Sequence, residues 1–175
     1  MTVTIPESVT AEGNVKAVFV AAIADVDSPT VAELTGGVDI SCYLMPDWDG
    51  PTATQNTGED RRFCSRETFT RLGRNQWEIS PLVYTYLPQE LGTPGNAAND
   101  VYEALPPDTT GFLVIGYGFD PSDAFAAADV VDTFPVEAGV QVKQARGTDE
   151  FAPLTVTQAL AVTGVPSLDG AVAAA

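Results

Sequence analysis

The chain has 175 residues, of which 45% are hydrophobic, and a formal net charge of -16 at pH 7. This hydrophobic fraction is sufficient for one packed domain, whereas so negative a surface disfavours binding to nucleic acid or to anionic membranes. The sequence contains neither an apolar run of about 18 residues nor the basic and apolar regions of a signal peptide at its start, so we expect neither a membrane span nor a secretory leader.

Two segments in the first part of the chain have strand patterns. Val15 to Ile23 form a continuous apolar run of strand length, VKAVFVAAI, which predicts a buried strand. Val38 to Met45 alternate apolar and polar side chains, which predicts a second strand with one buried face. Residues 46–60 are turn formers and small polar residues, and so long a loop in a compact domain is usually functional or disordered.

The next segment, Glu59 to Arg74, concentrates the positive charge of the chain. It holds five of the eight Lys and Arg residues, namely Arg61, Arg62, Arg66, Arg71 and Arg74. With its three acids the segment sums to +2, so the remainder of the chain sums to -18. Three interpretations stay open: a solvated strand face, a nucleic-acid site, which the negative field disfavours, or contact with an acidic partner. We prefer the acidic partner, because the planar arginine fork pairs carboxylates bidentately. The most abundant acidic partner is another copy of this chain.

The middle of the chain predicts one strand and one helix. The strand begins with Gln76, and Pro81 in its interior implies a bulge or an edge position. The helix spans Asn96 to Leu105, with a start signal at Thr93-Pro94 and a stop at Pro106-Pro107.

The last third of the chain is again rich in strand patterns. Strands are predicted at Gly111 to Phe119, at Asp129 to Lys143 with a kink at Pro135, and at Pro153 to Gly164. A short helical turn is predicted at Pro121 to Asp129. The expected fold is mainly β (α+β), a β-sandwich or partly closed barrel with one flanking α-helix. We expect the domain to span residues 15–163, with terminal arms at 1–14 and 164–175.

The sequence predicts no catalytic site, metal site or cofactor. It has no histidine, which removes the commonest general base near neutral pH and the partner of a Cys-His nucleophile. Asp47 to Gly50 begin like a calcium loop, but the twelfth position is Gly58 instead of glutamate. Cys42 and Cys64 are expected to be free thiols, although they would face each other if residues 38–45 and 61–68 formed the arms of one hairpin.

Five segments, taken in order and spacing, carry a resemblance to a known family. They are GVDISCYLMPD, EDRRFCSRETF, PGNAANDVYEALPPDTTGFLVIGYGFD, ADVVDTFPVEAGVQVKQ and LTVTQALAVTG, which together cover most of the chain. The chain resembles the major tail protein, or tail tube protein, of long-tailed non-contractile bacteriophages, particularly those infecting actinobacteria.

This resemblance implies a structural virion protein and not an enzyme. Six copies would form a ring, and rings would stack into a tube through which DNA passes without specific binding. The expected partners are other copies of the chain, the tail tip or distal tail protein, the tape measure protein and the tail terminator, with assembly in the host cytoplasm and no membrane contact. The alternatives are a single-ring neck or tail-terminator protein, or a bacterial surface β-sandwich subunit.

The resemblance also implies where copies touch. A loop bridging rings would span Met45 to Asp60, and the flanking helix would be Asn96 to Leu105. The candidate inter-subunit contacts are these loop residues and the basic segment: Met45, Asp47, Trp48, Asp49, Asn56, Glu59, Asp60, Arg61, Arg62, Arg66, Arg71 and Arg74.

Overall fold

A computed structural model describes residues 8–92, 97–145 and 150–174 of the chain. The described residues form eight strands, two short α-helices and a 3-10 turn at Ala97–Asn99. In chain order the elements are β1 (Val15–Val20), α1 (Val31–Thr35), β2 (Val38–Asp39), β3 (Pro51–Arg61), β4 (Thr68–Thr85), α2 (Asp100–Ala104), β5 (Thr110–Tyr117), β6 (Val130–Gln144), β7 (Thr155–Val162) and β8 (Ser167–Ala171). The predicted mainly β class is confirmed.

All strands belong to one antiparallel sheet, which is not closed into a barrel. The order is β2-β1-β5-β6-β7-β4-β3, and β8 also pairs with β6. Because Thr133 of β6 pairs with Val114 of β5 and with Ser167 of β8, β8 lies on the edge of β6 opposite β5. Strands β7 and β8 therefore follow one another along the same edge of β6.

Alternate residues of the inner strands supply two cores on the two faces of the sheet. In β1, Ala17 and Phe19 enter the larger core, which also receives Val101 of α2. Their neighbours Val18 and Val20 enter the smaller core, which packs beneath α1. Burial on both faces explains why β1 and β5 read as continuous apolar runs.

Helix α1 was not predicted, although its sequence carries a start signal. Thr30 and Glu33 form a capping box: the Glu33 amide donates to Thr30 Oγ1 at 3.3 Å, and the Thr30 amide donates to the Glu33 carboxylate at 2.8 Å. The hydrogen bonds that the Glu33 carboxylate accepts, first from the Thr30 amide and then from the Ala24 amide, lower the pKa of Glu33. The T-x-x-E spacing, preceded by proline, is a recognisable signal for a helix of only five residues.

The prediction of a strand from Val38 to Met45 is wrong beyond Asp39. The Asp39 carboxylate accepts hydrogen bonds from the amide of Ser41 at 2.9 Å and from its hydroxyl at 2.6 Å. The amides of Tyr43 and Leu44 then donate to the Ile40 carbonyl. This local turn competes with strand pairing, so apolar alternation alone was misleading.

Two segments predicted to lack regular structure are strands. The prediction of a loop at 46–60 is wrong for most of its length, because residues from Pro51 onward form β3. Near the start of this strand, Thr52 and Thr54 are β-branched residues, which favour extended structure. The prediction of a terminal arm at 164–175 is also wrong, since β8 pairs with β6 and Val172 is buried. The described part of the N-terminal arm, residues 8–14, lies outside the strands.

The predicted helical turn at Pro121 to Asp129 is wrong as well, because this segment consists of turns fixed by polar contacts. Lys16, only 8% exposed, donates to the carbonyls of Pro121 at 2.7 Å and Asp123 at 2.6 Å. The same ammonium group pairs with Asp39 at 3.1 Å. One buried cation therefore holds the segment against β1 and β2.

The predicted helix and proline irregularities are confirmed in part. Helix α2 begins at Asp100, later than predicted, while Thr93-Pro94 and Asn96 lie outside the described residues.

Pairing between β4 and β7 shifts between Ile79 and Leu82, at Pro81, as expected for a bulge. In β6, the pairing with β5 continues without a shift through Pro135. The irregularity of β6 lies later, where its pairing with β7 shifts between Ala138 and Gln141.

A buried polar network joins α2 to the sheet. The Tyr84 hydroxyl donates to Gln158 Oε1 at 2.9 Å, and Gln158 Nε2 donates to the carbonyls of Leu105 and Gly139, both at 2.8 Å. Gln141 Nε2 also donates to the Leu105 carbonyl at 3.0 Å. The network satisfies a carbonyl at the end of α2 that would otherwise lack a partner.

Tyr84 should make the stability of the domain depend on pH at alkaline values. Burial raises the pKa of Tyr84 to about 12, above the value of 10.0 expected for the unfolded chain. The neutral phenol is therefore favoured in the folded state, so its contribution is complete below pH 10 and is lost as pH rises towards 12. Urea unfolding should show a steeper loss of stability over this range for the wild type than for Tyr84→Phe. Parallel pH profiles would contradict this, since Tyr43 and Tyr117, whose pKa values are also raised, remain in both proteins.

Candidate interaction surfaces

The β3–β4 hairpin extends beyond the sheet. The two strands pair from Pro51 opposite Ile79 to Arg61 opposite Thr68. Strand β4 pairs with β7 only from Ile79 onward, so its first eleven residues have strand pairing with β3 alone. We call residues 57–72 the distal ribbon, and almost every residue in it is exposed. A two-stranded ribbon without further packing is only marginally stable in water.

A bulge separates the distal ribbon from the base of the hairpin. Gln55 pairs with Asn75 but Thr57 pairs with Leu72, so Asn56 faces two residues of β4. One of these is Gly73, where an added Cβ would lie 3.1 Å from the Asn56 carbonyl oxygen. A bulge bends the strand and increases its twist, so it sets the direction in which the ribbon projects.

The arginines of the hairpin divide into paired and unpaired groups. Arg61 pairs with Glu59 at 2.5 Å, and Arg62 and Arg71 both pair with Asp60, at 3.0 and 2.7 Å. Within the described residues, Arg66 and Arg74 form no ion pair. Exposed pairs of this kind contribute only about 0.2–1 kcal/mol each, so they exchange readily for acids on another molecule.

The distal ribbon also exposes large apolar side chains. Phe63 in the hairpin turn is fully exposed, Leu72 is 70% exposed and Phe69 is 52% exposed. Each belongs to neither core. Because Phe69 and Leu72 are three residues apart in a regular stretch of β4, they point to opposite faces of the ribbon and expose apolar surface on both.

A groove lies at the other end of the hairpin. Its volume is about 630 Å³, and its walls include Val15, Ala17, Leu44, Met45, Trp48 and Tyr117. The charged residues among its described lining are Glu12 and Asp49. The Trp48 indole donates to the Ser80 carbonyl at 3.1 Å and the Met45 amide donates to the Val83 carbonyl at 2.8 Å, which fix the wall against β4. We call this cavity the base groove.

The structure separates the candidate contact residues into two groups. One group belongs to the hairpin: Asn56, Glu59, Asp60, Arg61, Arg62, Arg66, Arg71 and Arg74. The other belongs to the segment beside the base groove: Met45, Asp47, Trp48 and Asp49. Sequence reasoning missed Phe63, Phe69 and Leu72, although large apolar residues within a basic polar segment were a visible signal. That the candidate residues of the two groups contact other subunits stays a prediction.

The two cysteines lie at different ends of the hairpin. Cys42 is exposed in the turn after β2, and Cys64 is exposed in the turn between β3 and β4. Residues 38–45 and 61–68 are therefore not the arms of one hairpin, and the alternative in which the cysteines face each other is wrong.

Residues 8–92, 97–145 and 150–174 contain neither a cluster of metal-ligating side chains nor a membrane-spanning helix. No group of three or more His, Cys, Asp or Glu side chains there is arranged to hold a metal ion. No helix in these ranges is both long enough and apolar enough to cross a membrane.

Comparison with known proteins gives one match that covers nearly the whole sequence. The model of a family described as "Phage tail tube protein" matches residues 2–175. No curated protein matches the chain. The family match includes both the hairpin and the base groove, so these surfaces belong to the matched region.

Shortening the hairpin should leave the domain folded. Replacing residues 56–74 with an Asn-Gly turn joins Gln55 to Asn75, which already pair directly. Because the removed residues are almost all exposed, we expect the free energy of unfolding to change by less than about 1 kcal/mol in urea titrations. As a comparison, Trp77→Ala should cost about 2–3 kcal/mol, since Trp77 packs against Phe134 with ring centroids 5.9 Å apart. Equal losses in both variants would show that the ribbon supports the core.

Proposed function

Because the chain belongs to the phage tail tube protein family, we propose that six copies form a ring, that rings stack head to tail, and that the resulting tube conducts phage DNA from capsid to host. The family is structural and not enzymatic, and its members are components of the virion that assemble with themselves and with other tail components. The number of copies in a ring and the passage of DNA are the parts that we propose.

The observation that carries the proposal is the exposed distal ribbon. Five arginines and three large apolar side chains lie on or beside this ribbon, and the apolar three belong to neither hydrophobic core of the described chain. The rest of the chain is acidic and sums to -18. A basic, apolar surface and an acidic surface on one molecule favour head-to-tail contacts, which form rings or open stacks according to their geometry.

The charge of the chain supports a conducting role for the tube. Six copies at -16 each carry -96 per ring, and contacts through the arginines neutralise part of it where subunits meet. The remaining acids keep the other surfaces negative. A negative channel repels the phosphate backbone, so DNA passes through without binding.

The assembly needs partners that begin and end it. We propose that a tail tip or distal tail protein provides the first ring, that the tape measure protein occupies the channel before DNA, and that a tail terminator ends the stack. Assembly takes place in the host cytoplasm. An actinobacterial host stays a prediction. The family match argues against a bacterial surface subunit, and the alternative of a single-ring neck or terminator protein is decided by the experiment below.

Electron microscopy of the purified protein tests the proposal directly. Negative-stain images of concentrated protein should contain hollow tubes or stacked six-fold rings. Single rings at every concentration would contradict stacking and favour the neck or terminator alternative. If only monomers appear, mass spectrometry of purified virions should find this chain as a major tail component, and its absence would overturn the proposal.

The unpaired arginines should control polymerisation. Changing Arg66→Gln together with Arg74→Gln removes two exposed contacts worth about 0.7 kcal/mol each, so we expect the concentration needed for polymerisation to rise about tenfold. Sedimentation of assembled material measures this concentration.

A charge-matched variant provides the control for this experiment. Gln89→Glu with Ala127→Glu changes the net charge by the same -2 at exposed positions away from the hairpin. It should shift the critical concentration by less than about twofold. Equal shifts in the two variants would mean that net charge, and not the position of Arg66 and Arg74, limits assembly.

A further inference from the structure

We propose that the hairpin turn of one copy, centred on Phe63, docks in the base groove of a second copy. This inference rests on the proposed function, because it specifies the contact through which copies join. It assigns both partners of the contact to described surfaces of the same chain.

The shapes and polarities of the two surfaces match. Phe63 is fully exposed at the end of the ribbon, and the base groove offers about 630 Å³ between mostly apolar walls. Grooves of this size accept groups as large as an aromatic ring and its neighbours. Trp48 and Leu44 in the wall present apolar surface to such a ring. An exposed aromatic anchor and an apolar groove each remove surface from water when they meet.

The charges of the two surfaces are opposite. Arg62 and Arg66 flank Phe63 in the hairpin turn, whereas Glu12 and Asp49 are the charged residues of the described groove lining. Exposed Asp47 adds a third acid beside the groove. Aromatic and arginine side chains together form the usual energetic centre of a protein interface. Charge complementarity therefore selects another copy of this chain as the occupant of the groove.

The turn of a hairpin does not reach the groove of its own chain. Leu44 in the groove wall bridges to Tyr84, near the inner end of β4, while the turn precedes Thr68 at the outer end. The sixteen residue steps between Thr68 and Tyr84 span roughly 50 Å at about 3.3 Å per residue. The contact must therefore form between copies, and in a head-to-tail arrangement each contact leaves one turn and one groove free for further copies.

The two native cysteines provide a test of this contact. Cys64 follows Phe63 in the turn, and Cys42 lies between Ser41 and Leu44 of the groove wall. A short bis-maleimide present during assembly should link Cys42 of one copy to Cys64 of the next. Because each copy then takes part in two links, denaturing gels should show a ladder that extends beyond dimers. The sample is either tubes of the purified chain or tails isolated from virions.

Single-cysteine variants define the linkage. Cys42→Ser and Cys64→Ser should each form normal assemblies but abolish the ladder. A dimer that persists in Cys42→Ser would show contact between two turns, and one that persists in Cys64→Ser would show contact between two grooves; either result overturns the proposed pairing.

A second measurement tests the role of Phe63 itself. Phe63→Ser should reduce the yield of linked oligomers at a fixed protein concentration by at least about tenfold, whereas Val165→Ser, at a position 87% exposed between β7 and β8, should leave it unchanged. Assemblies with no Cys42–Cys64 linkage in wild-type protein would overturn the docking contact and leave the proposed function intact. Failure to find this chain in tubes, rings or virion tails would overturn both.

Discussion

The backbone ladder between β3 and β4 joins the packed domain to the surface that projects from it. Ile79 of β4 pairs with both β3 and β7. Beyond it, Leu82 to Thr85 pair with β7 and are hydrogen-bonded to Tyr43 and Met45, and the inner side chains of β4 enter the larger core. The outer end is held only by β3, with its side chains in solvent. One continuous strand of 18 residues therefore transmits the rigidity of the sheet to a segment that could not fold alone.

The rigidity of that anchor depends on buried polar groups as well as on apolar packing. Tyr84, fully buried in β4, is tied through Gln158 to the end of α2, so strand, sheet and helix share one hydrogen-bonded network. Breaking a single member would leave buried donors or acceptors unpaired, which costs about 1–3 kcal/mol for each group. The network thus fixes the base from which the hairpin projects, far from the residues proposed to contact a partner.

Strands with buried apolar side chains could be predicted from the sequence. The prediction failed where polar side chains determine the backbone conformation. Strands β1, β5, β6 and β7 have enough apolar residues to be recognised by pattern. Strand β3 has almost no buried residue, so its only sequence signal is weak β-propensity, and β8 is short and polar at its centre. The turn at Asp39–Ser41 ended a strand that hydrophobic alternation had extended.

The candidate site was predictable in composition but not in arrangement. The cluster of arginines was visible in the sequence, and so was the polar segment that precedes it. Treating residues 46–60 as one loop hid the fact that β3 separates Asp49 at the base from Arg61 near the turn by about 40 Å of extended chain.

This separation has a consequence for assembly. In the proposed head-to-tail contact the two surfaces lie at opposite ends of a long element, so each contact leaves a complementary surface free for a further copy. Individual contacts can then be weak, because the proposed ring would repeat each of them in every copy and their free energies would add. An acidic chain with a basic, apolar projection is thereby suited to an assembly that adds copies in one direction and is ended by a different protein.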